Sequence, residues 1–77
     1  MSRNPEDPVY NRIEEARINL GLTRQELAEK VGVHYQTIGY LEREEYSPSL
    51  VLALRISKTL NTEVSGLFSL TPFKKGK

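Results

Sequence analysis

The chain has 77 residues, a formal net charge of +1 and no cysteine, which limits both its size and its chemistry. A chain of this length has room for one domain with a small hydrophobic core. Without cysteine it has neither disulfides nor thiolate metal sites, and its single histidine, His34, leaves few zinc arrangements. No apolar run approaches the roughly 18 residues of a membrane-spanning helix, and residues 1–8 lack the apolar stretch of a secretory signal. We therefore expect a cytoplasmic protein that needs no metal ion or other cofactor.

The charged residues are unevenly distributed along the chain. Residues 9–70 contain seven Lys or Arg and eight Glu, whereas Lys74, Lys75 and Lys77 lie close to the end. Affinity for nucleic acid through counterion release scales with the number of cations that contact phosphate. Any nucleic-acid binding by residues 9–70 must therefore depend on a few well-placed side chains and on backbone N–H groups.

Three segments are predicted from composition and patterning. Residues 1–8 are polar with two prolines, and we predict a flexible N-terminal arm. Residues 9–70 are predicted to form the folded domain, beginning with a short extended piece at Val9 and Tyr10. Residues 71–77 are predicted to be a basic C-terminal tail.

The first helix is predicted over residues 12–20. Asn11 is its expected N-cap, with Glu14 as the reciprocal member of a capping box, and Gly21 is the expected left-handed residue that ends it. Apolar periodicity predicts an inward face made of Ile13, Ala16, Arg17 and Leu20.

Two short helices joined by a tight turn are predicted next. Thr23 and Glu26 fit a capping box at the start of a helix that ends at Gly32, and a third helix begins near His34. The inward residues of this pair are Leu27, Ala28, Val31, Ile38 and Leu41. This layout is typical of a helix-turn-helix, whose second helix enters the DNA major groove.

The fourth helix, over residues 50–60 with Ser49 as its cap, carries apolar residues on two faces. We predict that Leu50, Ala53, Leu54 and Ser57 face the core and that Leu52, Ile56 and Thr59 form a second stripe. Thr62 is predicted to cap a fifth helix that holds Val64, Leu67 and Phe68. Because a helix that is apolar on two sides must be covered on both, we expect a homodimer with an interface formed by Leu52, Ile56, Leu67, Phe68 and Leu70.

Several segments of residues 12–69 resemble the Cro/phage-repressor type helix-turn-helix family, also called the XRE family. The matching segments, in order and correctly spaced, are residues 17–32, 36–38, 41–43, 47–50 and 67–68. The resemblance implies an all-α, five-helix, lambda-repressor-like DNA-binding domain. Some short single-domain members of that family add a small β-ribbon from the chain ends and pair as dimers.

The same resemblance implies roles for single residues. Arg24, Thr37 and Arg43 correspond to positions that contact the DNA backbone, and Tyr35, Gln36 and Tyr40 to positions that face bases. His34 stands where Ser or Thr usually caps the third helix, so we expect a substitute cap or a DNA-facing polar group. Arg17 and Glu42 match a largely buried ion pair between the first and third helices.

The bases and the backbone remain alternative partners for several of these side chains. The Gln36 amide matches adenine N6 and N7, although it can also hold a phosphate or water. Tyr40 either contacts DNA or packs against the following loop. Glu44 and Glu45 dilute the attraction of Arg43 for phosphate, and Gly39 in mid-helix costs about 1 kcal/mol of helix propensity relative to Ala.

We expect a homodimeric transcriptional regulator that binds double-stranded DNA in a sequence-specific manner, at an inverted-repeat operator. Repression by occluding a promoter is the simplest mechanism, and activation remains open. We expect no enzymatic activity, because no nucleophile–base set, phosphate loop or metal spacing is present. The alternative is a protein-interaction module, such as an antitoxin, that contacts its partner protein through residues 1–8 and 71–77.

Overall fold

The computed structural model describes residues 9–73 as five helices and one small sheet. In chain order these elements are β1 (Tyr10–Asn11), α1 (Ile13–Asn19), α2 (Arg24–Val31), α3 (Tyr35–Glu42), α4 (Leu50–Thr59), α5 (Val64–Leu67) and β2 (Phe68–Ser69). The five-helix fold is confirmed. The predicted arm, residues 1–8, and residues 74–77 of the predicted tail lie outside the described residues. Within residues 9–73, no helix has the length and apolar character needed to cross a membrane.

A two-stranded antiparallel ribbon joins the two ends of the described chain. Tyr10 pairs with Ser69 and Asn11 with Phe68, as the family resemblance implied for some members. The backbone N–H of Arg12 then donates to the Leu67 carbonyl at 2.9 Å. Strand β1 therefore fixes where α1 begins.

The start of α1 differs from the prediction because Asn11 belongs to β1. Arg12 occupies the N-cap position, and the predicted capping box with Glu14 is not formed. The Asn11 side chain still accepts a hydrogen bond from the Ile13 backbone N–H at 3.0 Å, and its amide donates to the Leu41 carbonyl at 2.7 Å. Asn11 thus connects the ribbon and α1 to the end of α3.

The helix-turn-helix forms as predicted because its signals are local. Thr23 accepts from the Glu26 backbone N–H at 3.0 Å, and the Glu26 carboxylate accepts from the Thr23 N–H at 2.8 Å. Gly32 ends α2 with a φ of +81°, which a residue with a Cβ rarely adopts. Gly21 plays the same part after α1, with a φ of +71°.

One hydrophobic core contains residues from all five helices. Its buried members are Ile13, Leu27, Ala28, Val31, Ile38, Leu41, Leu52, Ile56, Leu60 and Leu67. Ile13 and Arg17 of α1 are buried as predicted, but Leu20 is exposed because α1 ends at Asn19, before it reaches that position.

Helix α4 buries Ala53 and Ser57 as predicted, but Leu52 and Ile56 take the places in the core that were predicted for Leu50 and Leu54. Leu52, Ala53, Ile56 and Ser57 are buried, whereas Leu50, Val51 and Leu54 are exposed. The stripe through Leu52 and Ile56 continues to the buried Leu60, whereas the stripe through Leu50 and Leu54 continues to Lys58. Only the first stripe is apolar over the full helix, so its burial removes more apolar surface from water.

This orientation makes most of the predicted dimer interface wrong. Leu52, Ile56 and Leu67 are at most 7% exposed in the protomer itself, so they cannot form a surface for a partner. Phe68 is half-buried against the core, and Leu70 alone of the predicted set is well exposed. The exposed apolar surface of α4 is instead formed by Leu50, Val51 and Leu54.

The fifth helix is shorter than predicted. Its N-cap is Glu63, and Thr62 instead donates its hydroxyl to the Leu60 carbonyl at 3.0 Å, in the turn that follows α4. Phe68 lies in β2 rather than in the helix, because pairing with Asn11 requires extended backbone there.

Candidate nucleic-acid interface

Helix α3 begins at an imidazole that serves as its cap. His34 has extended backbone angles, and its Nδ1 accepts a hydrogen bond from the Gln36 backbone N–H at 3.1 Å. The His34 ring also lies against the Tyr35 ring, with 4.7 Å between the ring centroids. His34 therefore satisfies one of the free N–H groups at the start of α3 and positions the first exposed side chain of that helix.

A shallow concavity of about 170 Å³ lies between the start of α2 and the exposed face of α3. It is lined by Arg24, Tyr35, Gln36, Gly39, Tyr40 and Arg43. Five of the seven DNA-binding residues predicted from the sequence thus line one surface. The other two do not line it: His34 caps the helix, and Thr37 is half-buried with its backbone N–H bonded to the His34 carbonyl.

The side chains of α3 in this concavity keep their polar groups available. Tyr35, Gln36 and Tyr40 are exposed, and the Gln36 side-chain amide makes no hydrogen bond with any described residue. An amide in this state can donate and accept at once, which is the pattern that an adenine edge requires in the major groove.

Gly39 also lines the concavity, although it was not among the predicted DNA-binding residues. A glycine in the middle of a predicted helix was the signal for it. The Arg43 side chain lies beside it, so that a Cβ at Gly39 would be 3.2 Å from Arg43 Nη1. The Arg43 guanidinium lies 5.4 Å from the Tyr40 ring centroid, and its Nε donates to the Glu45 carboxylate at 3.2 Å. Gly39 thus provides the space in which Arg43 reaches back over α3.

Glu42, at the end of α3, is the buried acid of this region. Arg17 Nε donates to Glu42 Oε2 at 2.6 Å and Arg17 Nη2 to Oε1 at 3.3 Å, while Arg17 Nη1 donates to the Leu22 carbonyl at 2.8 Å. The Glu42 side chain is only 1% exposed and the Arg17 side chain 10%. The geometry of the predicted ion pair is therefore present between α1 and α3.

A second arginine shares the same carboxylate. Arg24 Nε donates to Glu42 Oε1 at 2.8 Å, and the Arg24 side chain is 44% exposed. This hydrogen bond and the charge of Glu42 raise the pKa of Arg24 above its ordinary value. Sequence reasoning missed this contact because residues 24 and 42 belong to different helices.

Charged side chains also lie together outside this concavity. No group of three or more His, Cys, Asp or Glu side chains lies close enough together to hold a metal ion among residues 9–73. A separate surface concavity is lined by Lys30, Arg55, Lys58 and Thr59, at the C-terminal ends of α2 and α4.

Known proteins share this arrangement of helices. The helix-turn-helix family matches residues 13–67. An uncharacterized HTH-type transcriptional regulator of Archaeoglobus fulgidus is 47% identical over 60 residues, which is 78% of this chain and 86% of that one. Another, of Methanothermobacter thermautotrophicus, is 59% identical over 51 residues, which is 66% of this chain and 74% of that one.

Solved structures include a similar fold in the restriction-modification controller protein C.AhdI of Aeromonas hydrophila. The TM-score is 0.65 at 32% identity, covering 69% of this chain and 80% of C.AhdI. The family match runs from the first residue of α1 to the last residue of α5. The resemblance seen in the sequence is therefore confirmed, and this chain belongs to the XRE-type helix-turn-helix family.

Proposed function

We propose that this chain binds double-stranded DNA in a sequence-specific manner and regulates transcription, acting in the cytoplasm. The observation that carries this proposal is the concavity between α2 and α3, where two guanidinium groups, an unpaired amide and two phenols converge on one exposed surface. The relatives named above as transcriptional regulators support it. They do not favour the alternative of a protein-interaction module.

In the proposed complex, α3 lies in the major groove and α2 crosses the DNA backbone. Gln36 reads an adenine through its amide, and Tyr35 and Tyr40 contact bases or backbone with their rings and hydroxyls. Arg24 and Arg43, on either side of these residues, bind phosphates. Thr37 and His34 support α3 from its first turn.

We further propose that the active form is a homodimer on an inverted repeat, with half-sites about 10 bp apart. Its interface is formed by the exposed apolar surface of α4, Leu50, Val51 and Leu54, which occupy one arc of the helix. Exposed apolar side chains that adjoin in this way are typical of protein–protein contact sites. Repression by covering a promoter needs no contact beyond this DNA binding.

Selection of bound duplexes from a randomised pool, at moderate salt, tests the proposed function. Enrichment of a two-fold symmetric motif is the expected result, and it gives the operator at the same time. If the folded protein enriches no duplex, DNA reading is not its activity. An asymmetric motif of single half-site length would preserve the DNA binding and remove the dimer.

A further inference from the structure

Arg24 is bound to Glu42 through one of its three nitrogens only. Its Nε donates to Glu42 Oε1, and no other hydrogen bond ties Arg24 to the described part of the chain. The guanidinium carries five N–H donors in one plane, so four of them, on Nη1 and Nη2, remain available on a side chain that is 44% exposed. The same side chain lines the concavity beside Gln36.

The charge of Glu42 is already matched without Arg24. The buried Arg17 makes two hydrogen bonds to this carboxylate, at 2.6 Å and 3.3 Å. Arg17, Arg24 and Glu42 together carry a net charge of +1, which the more distant charge of Glu14 offsets in part. The more exposed of the two guanidinium groups is that of Arg24. An anion is therefore attracted to Arg24 even while Glu42 holds its Nε.

We propose that Glu42 is a positioning residue for DNA binding, and that it holds Arg24 as a preformed fork whose Nη1 and Nη2 grip one phosphodiester group together. This inference rests on the proposed DNA binding. A carboxylate on Nε fixes the plane of the guanidinium, so the arginine loses less side-chain freedom when the phosphate binds. Lysine cannot do the same, because a point charge held by Glu42 has no second, coplanar pair of donors.

The proposal is tested with Arg24→Lys, which keeps the charge and removes the fork. Affinity is measured by fluorescence anisotropy on a duplex enriched from the randomised pool, across a salt series. We expect Arg24→Lys to bind about tenfold more weakly than wild type, with an unchanged dependence of log affinity on log salt. Arg24→Gln loses affinity too, but its salt slope falls by about 0.9 for each protomer, because one phosphate contact is lost.

Arg55→Lys is the matched control, since Arg55 is an exposed arginine that lines the separate concavity with Lys30 and Lys58. It is expected to bind within twofold of wild type. If Arg24→Lys also binds within twofold, the fork is refuted and DNA binding stands. If the folded wild-type protein binds no duplex at low salt, the proposed function and this inference both fall.

The part played by Glu42 is separated by a double-mutant cycle. Glu42→Asp withdraws the carboxylate by one methylene, and we expect about a fivefold loss of affinity in the wild-type background and none in the Arg24→Gln background. An equal loss in both backgrounds would show that Glu42 acts through the general fold, which refutes the positioning role. Should Glu42→Asp fail to fold, Glu42→Gln replaces it in the same cycle, with the same expected and refuting outcomes.

Discussion

At the scale of single residues, Glu42 joins three helices through one buried carboxylate. It lies at the end of α3 and accepts hydrogen bonds from Arg17 of α1 and Arg24 of α2. A buried ion pair adds little net stability compared with a hydrophobic pair, but the loss of one partner strands the other charge. The carboxylate therefore matters most as the group that fixes where α3 lies relative to α1 and α2.

We predict that Glu42→Ala destabilises the domain by about 3–5 kcal/mol, because the buried Arg17 then loses the carboxylate that balances its charge and keeps only its hydrogen bond to the Leu22 carbonyl. Thermal unfolding followed by circular dichroism measures this loss. Glu45→Ala is the control, since its ion pair with Arg43 is about half exposed on both sides and is worth about 0.5 kcal/mol or less. A melting temperature for Glu42→Ala within a couple of degrees of wild type would show that the prediction is wrong.

Gln36 is the residue for which base reading is predicted most specifically. Gln36→Ala removes an exposed amide that no described residue binds, so stability should stay within about 0.5 kcal/mol of wild type. Repeating the duplex selection with this variant should relax one position in each half-site, at a cost of about 1–3 kcal/mol in discrimination. An unchanged motif would instead indicate that Gln36 contacts the DNA backbone and reads no base.

At the scale of elements, α3 combines a buried face, an exposed face and a glycine between them. Ile38 and Leu41 are fully buried, and Tyr35, Gln36 and Tyr40 are exposed. Gly39 weakens the helix, and it also gives Arg43 the space to lie against α3. Gly39 thus lowers the stability of α3 and in return shapes the exposed face of this helix.

Gly39→Ala is predicted to stabilise the domain by about 0.5–1 kcal/mol, through helix propensity. The new Cβ meets only the flexible end of Arg43, at 3.2 Å, which moves at little cost. Gly32→Ala is the control with the opposite sign, because its φ of +81° strains any residue with a Cβ. Urea titration measures the change in the free energy of unfolding for both variants. A destabilised Gly39→Ala would mean that the Arg43 side chain cannot move away from the new Cβ.

At the scale of the whole molecule, one small core is built from five short helices and closed by a ribbon between the chain ends. This core leaves Leu50, Val51 and Leu54 of α4 outside. We predict that wild-type protein sediments as a dimer at tens of micromolar and that Leu54→Glu sediments as a monomer, because a charge in an apolar interface must be desolvated.

Ile18→Glu is the control for the dimer prediction, since Ile18 is an apolar residue on α1 that is somewhat more exposed than Leu54. It should remain dimeric. The Leu54→Glu variant should still bind a single half-site while losing most of its affinity for the inverted repeat. A wild-type protein that sediments as a monomer at this concentration would contradict the proposed homodimer.

The sequence by itself determined the features that depend on neighbouring residues. Thr23 with Glu26, Ser49, Gly21 and Gly32 mark helix ends because caps and left-handed turns form between residues close in the chain. The periodicity of Leu27, Ala28 and Val31 was likewise sufficient to place the buried face of α2. Together these signals were enough to predict the helix-turn-helix, whereas the DNA-facing residues of α3 were implied by the family resemblance.

Three features were decided only by the tertiary structure. They are the choice between two apolar stripes of α4, the later start of α1 next to β1, and the contact of Arg24 with the carboxylate that Arg17 also binds. Each of these outcomes joins segments far apart in sequence. Helix propensity cannot distinguish two faces of the same helix. The choice therefore depended on which packing of all five helices removes the most apolar surface from water and leaves the buried carboxylate paired.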